Sequence, residues 1–364
     1  MAVITAPASL PRDASSAVAG WLFTVAGLVA AMILIGGITR LTDSGLSMVE
    51  WRPWSGILPP LSQAEWQRVF ALYQESPEFR HLNFWMSLDD FKRIFWWVFI
   101  HRVWGRLIGL AYGLPLLWFW WRGAIPANLK PRVLLLLLLG GAQGVIGWWM
   151  VKSGLVNDPA VSQYRLAAHL MMAMLILGLL LWTGLDARGA AAGTSGDGAM
   201  PIDPRAGRGA LVCLVLLVTT IAAGAFVAGL DAGLAYNTFP LMDGQWVPPG
   251  YLDQAPWWRN HLENTASVQF NHRLLATVTA VAIIANWFSL RRRPVAARAR
   301  RWAALAAALA AVVYFPKKCK GKADQNVGIA VVGVFIGVVS ALQISYSSLN
   351  IYGDTKDKDA SSLY

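Results

Sequence analysis

The sequence predicts an all-α integral membrane protein: eight transmembrane helices in two repeated four-helix bundles, related by a pseudo-two-fold axis along the membrane normal. Three observations carry this. Of the 364 residues, 56% are hydrophobic and only 14% charged, against about 25% charged in a soluble domain, so lipid rather than a large core accounts for the apolar excess. Apolar runs of the length needed to cross ~30 Å of hydrocarbon recur along the chain. A short pattern of rare residues also occurs twice, once in each half.

The spans are read at about 17 to 37, 94 to 121, 133 to 151, 166 to 185, 209 to 230, 268 to 290, 302 to 315 and 327 to 346. The seventh is short and Ala-rich and stops at Pro316, which cannot continue a helix. Ahead of the first run lie only Arg12 and Asp13, without the basic segment or cleavage site of a signal peptide, so it reads as an uncleaved anchor. Cys213 lies in an apolar run and Cys319 in a Lys-rich stretch. Such a pair builds neither a CxxC metal site nor a disulfide framework, and redox chemistry here needs another carrier.

Basic residues orient the bundle, because Lys and Arg accumulate in cytoplasmic linkers. Linkers 122 to 132, 186 to 208 and 291 to 301 hold three, three and six of them, all on one side. On the opposite side, 152 to 165 has two and 231 to 267 has only Arg259. An inner-membrane protein with both termini cytoplasmic follows. Linker 316 to 326, with Lys317, Lys318, Lys320 and Lys322, runs against the pattern. The net charge of +11 is thus accounted for by topology, and the partner it implies is a lipid bilayer rather than nucleic acid.

The repeat is specific. Asp43-Ser44-Gly45-Leu46-Ser47 after the first run matches Asp231-Ala232-Gly233-Leu234-Ala235 after the fifth, at an offset of 188. Phe99-Ile100-His101-Arg102 matches Phe270-Asn271-His272-Arg273 at an offset of 171. The resulting organisation is a cytoplasmic amino terminus (1–16), a first half (17–185) with an outer cap loop (40–93), a cytoplasmic linker (186–208), a second half (209–346) with an outer loop (231–267) and a polar tail (347–364). Trp and Pro enrich both outer loops, as suits folded caps at the interface.

Three of the five histidines, His101, His169 and His272, lie inside predicted spans. Ionisable groups at membrane depth are expensive and mark functional sites. They fall about 7, 3 and 4 residues into helices that start on the outer side, which places all three within roughly 5 to 10 Å of the outer interface. His101 and His169 share one half, where two imidazoles from facing helices can ligate a haem iron or a metal ion. A single such His is more often an interhelical hydrogen bond; three at one depth favour ligation. Arg102, Arg106 and Arg273 accompany them, with guanidinium groups suited either to carboxylates such as haem propionates or to snorkelling toward headgroups. His81 and His261 lie in outer loops and read as solvated.

Further motifs accumulate in order: Gly36-Gly37-Ile38-Thr39-Arg40-Leu41-Thr42-Asp43-Ser44-Gly45-Leu46-Ser47-Met48, then Pro59-Pro60-Leu61, Pro77-Glu78-Phe79, Phe91-Lys92-x-Ile94-Phe95-Trp96-Trp97, His101-Arg102-x-x-Gly105-Arg106 and Asn271-His272-Arg273. With these, the chain resembles haem A synthase of the alphaproteobacterial and mitochondrial class over about residues 15 to 290. The resemblance implies an eight-helix membrane oxidoreductase that oxidises the C8 methyl of haem O to a formyl group. The haem A so formed serves cytochrome oxidase assembly. It implies haem O as substrate on His101 and His169, haem b as cofactor with His272 as one axial ligand, haem O synthase as a partner and an electron donor of unknown identity. Homo-oligomerisation is left open.

Two departures from the family stand out. Val98 occupies the position of a family Glu one turn before His101, and the eighth span has no His. The segment from about 314 onward does not match the family. These departures set the catalytic reading beside two rivals: a non-catalytic bis-His haem-binding protein of the same fold, acting as electron carrier or haem chaperone, and a transporter.

Overall fold

The computed structural model describes residues 12–51, 56–155, 159–192, 204–293, 295 and 297–314. Nine α-helices lie among them: α1 (Arg12–Leu41), α2 (Gln63–Gln74), α3 (Leu88–Trp121), α4 (Lys130–Gly154), α5 (Gln163–Ala192), α6 (Pro204–Gly229), α7 (Asn260–Glu263), α8 (Thr265–Arg291) and α9 (Ala297–Tyr314). No strand is present among the described residues beyond one isolated bridge, Met242 to Gln245. Seven of the predicted spans correspond to α1, α3, α4, α5, α6, α8 and α9; the run 327 to 346, the lysine-rich linker before it and the polar tail lie outside the described residues.

Five helices, α1, α4, α5, α6 and α8, are long and apolar enough to cross a membrane by length and composition. Helix α3 has the length, 34 residues, but carries Arg102, Arg106 and a Trp-rich inner end. It begins six residues before its apolar run because Ser87 and Asp90 form a reciprocal capping box, each side chain satisfying a backbone N–H of the other. The leucines of α3 and α4 that lie outermost, such as Leu114, Leu117 and Leu138, are exposed, as expected of a surface that meets lipid tails.

Packing runs through α1, which lies against both α3 and α5; α5 in turn contacts α4 and α6, and α6 packs on α8, which packs on α9. The core of the first half is built from Val18, Leu22 and Val25 of α1 with Leu177 and Leu180 of α5 and Val133 of α4. The smaller second core joins Cys213 and Leu217 of α6 to Ile283 of α8 and the Ala-rich face of α9. At the predicted cytoplasmic ends, Arg122 lies over Trp118, Arg132 over Trp182 and Arg291 over Trp287, pairing the orienting charges with interfacial rings.

The first outer loop folds as a cap. Helix α2 starts at Ser62, whose hydroxyl accepts from the Glu65 N–H, and Tyr73, Phe70 and Trp66 pack on Phe91, Phe95 and Phe99 along one side of α3. Tyr73 is completely buried and stacks on Phe91 at 5.1 Å. The second outer loop is shorter and is organised by Asn260 and Asn264. Asn260 bonds the backbone of Gln254 and Trp257; Asn264 caps α8 through Ser267 and reaches the Gly250 carbonyl.

Candidate functional site

The three histidines of the predicted spans occupy three different helices, His101 on α3, His169 on α5 and His272 on α8. Helix α1 touches both α3 and α5, and His101 lies within electrostatic reach of His169. His272 belongs to the second half, against α6. Each ring rests on a glycine of a neighbouring helix: a Cβ placed on Gly36 would fall 3.1 Å from His101 Cε1, one on Gly147 2.9 Å from His169 Cε1, and one on Gly224 2.9 Å from His272 Cε1. Gly36, Gly224 and Gly147 lie five, five and seven residues from the outer ends of α1, α6 and α4, or roughly 8 to 10 Å along the helix axis. Each of the three glycines thus lies within about two turns of the C-terminal end of its helix.

Hydrogen bonding distinguishes the two halves. His272 Nδ1 lies 3.2 Å from the Thr220 carbonyl oxygen. A carbonyl only accepts, so Nδ1 carries the proton and Nε2 keeps a lone pair, the form in which imidazole binds a metal. His101 Nδ1 and His169 Nδ1 are buried without a hydrogen-bond partner among the described residues. Leaving such a nitrogen unpaired costs about 1–3 kcal/mol, and groups of this kind are concentrated where a ligand completes the site. Gln143 of α4 fixes the backbone at His169, donating from Nε2 to its carbonyl at 3.0 Å.

The arginines beside the histidines have a definite structural task. Arg102 donates to the Met48 carbonyl at 2.8 Å and the Glu50 carbonyl at 2.9 Å, and its guanidinium lies over Trp51. Arg273 donates to the Tyr236 carbonyl at 2.5 Å and the Thr238 carbonyl at 2.6 Å. The acceptors obey the same repeat: 48 and 50 plus 188 give 236 and 238, and 102 plus 171 gives 273. Both arginines therefore strap an outer loop to the helix that carries a histidine. Arg102 and Arg106 also line a cavity of about 80 Å³ under the cap, with Glu50 and Arg68 among its walls.

Other equivalences follow. Asp43 and Asp231, 188 apart, both adopt left-handed backbone, with φ of 48° and 50°, ending α1 and α6 in the same way. Arg40 bonds Asp43, Asp231 and the Ala228 carbonyl. Gln269 stands 171 residues after Val98; both are nearly buried, and Gln269 Nε2 donates to the Tyr236 carbonyl. At this position the second half is polar and the first half apolar. His261, read as solvated, is exposed but sits 3.0 Å from Asn271, next to His272.

In the cap, Glu78 is buried and accepts from the Tyr73 hydroxyl at 2.8 Å. Burial pushes its carboxyl up to about 7, the Tyr73 hydrogen bond acts in the other direction, and the Asp43 charge adds to the rise. Burial raises Asp43 too, against the pull of Arg40.

Sequence reasoning selected the histidines and the arginines but not the glycines beneath the rings, the carbonyl partners of the arginines or the polar role of Gln269. The 188-residue spacing of Gly36 and Gly224 was a usable signal. Among the described residues no group of three or more His, Cys, Asp or Glu is placed to hold a metal ion.

Comparison with known proteins adds a second line. The family model COX15-CtaA, described as cytochrome oxidase assembly protein, matches residues 19–315. The chain is 52% identical over 283 residues to a haem A synthase of Maricaulis maris, covering 77% of this chain and 80% of that protein. It is 49% identical over 314 residues to a haem A synthase of Rhodospirillum centenum, covering 84% and 82%. A haem A synthase of Nitrosospira multiformis is 45% identical over 287 residues, covering 78% and 79%.

Proposed function

The chain belongs to the COX15-CtaA family of cytochrome oxidase assembly proteins, and on that premise we propose that it is a multi-pass membrane oxidoreductase acting as a haem A synthase. It oxidises the C8 methyl of haem O to a formyl group and delivers haem A toward cytochrome oxidase. The observation that carries the site assignment is the pair His101 and His169: imidazoles on two helices that both pack on α1, each seated against a glycine of a neighbouring helix. Among the described residues the donor set is nitrogen alone, without a joined Cys, Asp or Glu. It fits the two axial positions of a haem iron better than a zinc or hard-metal cage.

In this reading His101 and His169 would hold the substrate, haem O, and His272 would bind the iron of a haem b cofactor in the second half. Haem iron supplies the oxidising chemistry, and the protein binds, orients and encloses. The Thr220 carbonyl keeps the proton on His272 Nδ1 so that Nε2 is free to ligate. Arg102 and Arg273 hold the outer loops over each layer, which keeps bulk water from the histidines; Arg106 stays with the first half as a candidate propionate partner.

The eight-helix, two-repeat architecture is supported by the paired aspartates, the paired arginine straps and the paired glycines, all at constant offsets. Its eighth member is read from the sequence alone, at 327 to 346, outside the described residues. The basic inner linkers support a cytoplasmic-membrane location with both termini cytoplasmic. Haem O synthase is the expected supplier of substrate, and the electron donor is unassigned.

One observation favours a second reading. Val98 is apolar and buried where the family has a Glu, which suits a bis-His haem-binding protein that does not oxidise its ligand. Co-expression with haem O synthase, purification in detergent and chromatography of the extracted haem separates the two. Haem A or its alcohol precursor is the expected product; haem O or haem b alone would favour the binding protein, and absence of haem would leave a transporter.

A further inference from the structure

We propose that Gly36, Gly147 and Gly224 are positioning residues, each a notch in a neighbouring helix that sets the ring orientation of the histidine it receives. The inference rests on the haem-ligand reading above. Three independent helix pairs, α1 with α3, α4 with α5 and α6 with α8, present a glycine to an imidazole in one pose. In each, Cε1 is the ring atom nearest the space a Cβ would fill, at 3.1, 2.9 and 2.9 Å, and Nδ1 is next at 3.6, 3.5 and 3.4 Å. For His169 and His272, Nε2 follows at 3.7 and 3.6 Å. The ring thus meets the neighbouring helix by its Cε1 edge.

A methyl there forces the ring to give way, by a few tenths of an ångström at Gly36 and by more at Gly147 and Gly224. Contacts below 3.4 Å require the neighbour to move, and the neighbour is a planar ring held on a two-torsion side chain between packed helices. The notch also brings the ring close enough to the opposing helix for His272 Nδ1 to reach the Thr220 carbonyl, one turn before Gly224. Not every glycine of these helices is close-packed: Gly27 on α1, Gly144 on α4 and Gly207 on α6 have open space where a Cβ would stand. The other close glycines of α4 and α6, Gly154, Gly209 and Gly229, face Leu46, Asn286 and Gln163, so only Gly36, Gly147 and Gly224 receive an imidazole.

An alanine in the notch displaces the imidazole edge and rotates or shifts Nε2 away from its ligating direction. Groups that orient a metal-bound His typically control affinity by 10- to 100-fold, so haem retention in the affected half is expected to weaken on the order of tenfold. Alanine is the better helix former, so helix propensity works against any loss.

The test uses the full chain co-expressed with haem O synthase. Gly36→Ala, Gly147→Ala and Gly224→Ala are compared with Gly27→Ala, Gly144→Ala and Gly207→Ala by haem content per protein and by low-spin haem absorbance and EPR spectra. The expected result is loss or spectral change of the first half's haem in the first two variants and of the second half's haem in the third. The haem of the other half reports an intact fold, and the three control variants stay like the parent. Spectra unchanged in all three notch variants, or an equal change in the controls, would overturn the proposal. His101→Ala, His169→Ala and His272→Ala run in parallel: if they lose haem while the notch variants keep theirs, the notch proposal alone fails. If the histidine variants also keep all haem, the ligand reading fails with it.

Discussion

Arg40 Nη2 of α1 donates to Asp231 Oδ1 beyond α6 at 2.6 Å, joining the two halves at the outer face. The same guanidinium bonds Asp43 at 2.8 Å and, through Nε, the carbonyl of Ala228 at 3.0 Å. Asp43 and Asp231 are repeat equivalents, and Ala228 is the equivalent of Arg40 itself, since 40 plus 188 is 228. One arginine therefore bonds both equivalent aspartates and the residue at its own repeat position.

Arg40→Ala leaves Asp43 and Asp231 close to each other without their shared cation. Both aspartates are largely exposed, where an ion pair contributes about 0–1 kcal/mol, and the expected result is a weaker contact between halves by about 1 kcal/mol. Thermal unfolding in detergent and cross-linking between α1 and α6 check this; an unchanged melting profile together with unchanged cross-linking would contradict it.

The cap carries a pH dependence through Glu78. Its folded carboxyl is pushed from 4.5 to about 7, chiefly by burial. Between those values the folded chain holds a proton that the unfolded chain has released, so stability falls as pH rises from about 4.5 to about 7 and is flat above. The change is on the order of 3 kcal/mol. Hydrogen exchange in α2 is expected to quicken between pH 5 and pH 8 beyond the intrinsic rate increase, and Glu78→Gln is expected to abolish that excess. An excess that persists in the Gln variant would place the titration elsewhere.

The arginine straps make a paired prediction. Arg102→Ala frees the carbonyls of Met48 and Glu50, and Arg273→Ala those of Tyr236 and Thr238, at about 1–3 kcal/mol of local stability each. Limited proteolysis from the outer side should cut the first loop in one variant and the second loop in the other. Cleavage that does not follow the half carrying the substitution would show that the loops are held by other contacts.

Much of the helix order was legible because lipid imposes a length on each apolar run, and His101, His169 and His272 stood out because imidazole is rare at that depth. The start of α3 was encoded in Ser87 and Asp90, a local capping signal that an apolar scan passes over. What could not be read was which of two acceptors the guanidinium groups choose. A carbonyl about 50 residues away in sequence and a haem propionate make the same chemical request of Arg102, and only the folded loop decides between partners. The glycine notches were hidden differently. With 33 glycines in the chain and small residues common between membrane helices, the 188-residue spacing marks Gly36 and Gly224, but Gly147 has no distinguishing mark until the helices are packed.

The most direct measurement of the central claim is the haem complement of His101→Ala and His169→Ala, separately and together, in the full chain co-expressed with haem O synthase. The account predicts that haem O is lost from the first half while the haem associated with His272 keeps its content and spectrum. Haem O retained at parental level in the double variant would contradict it.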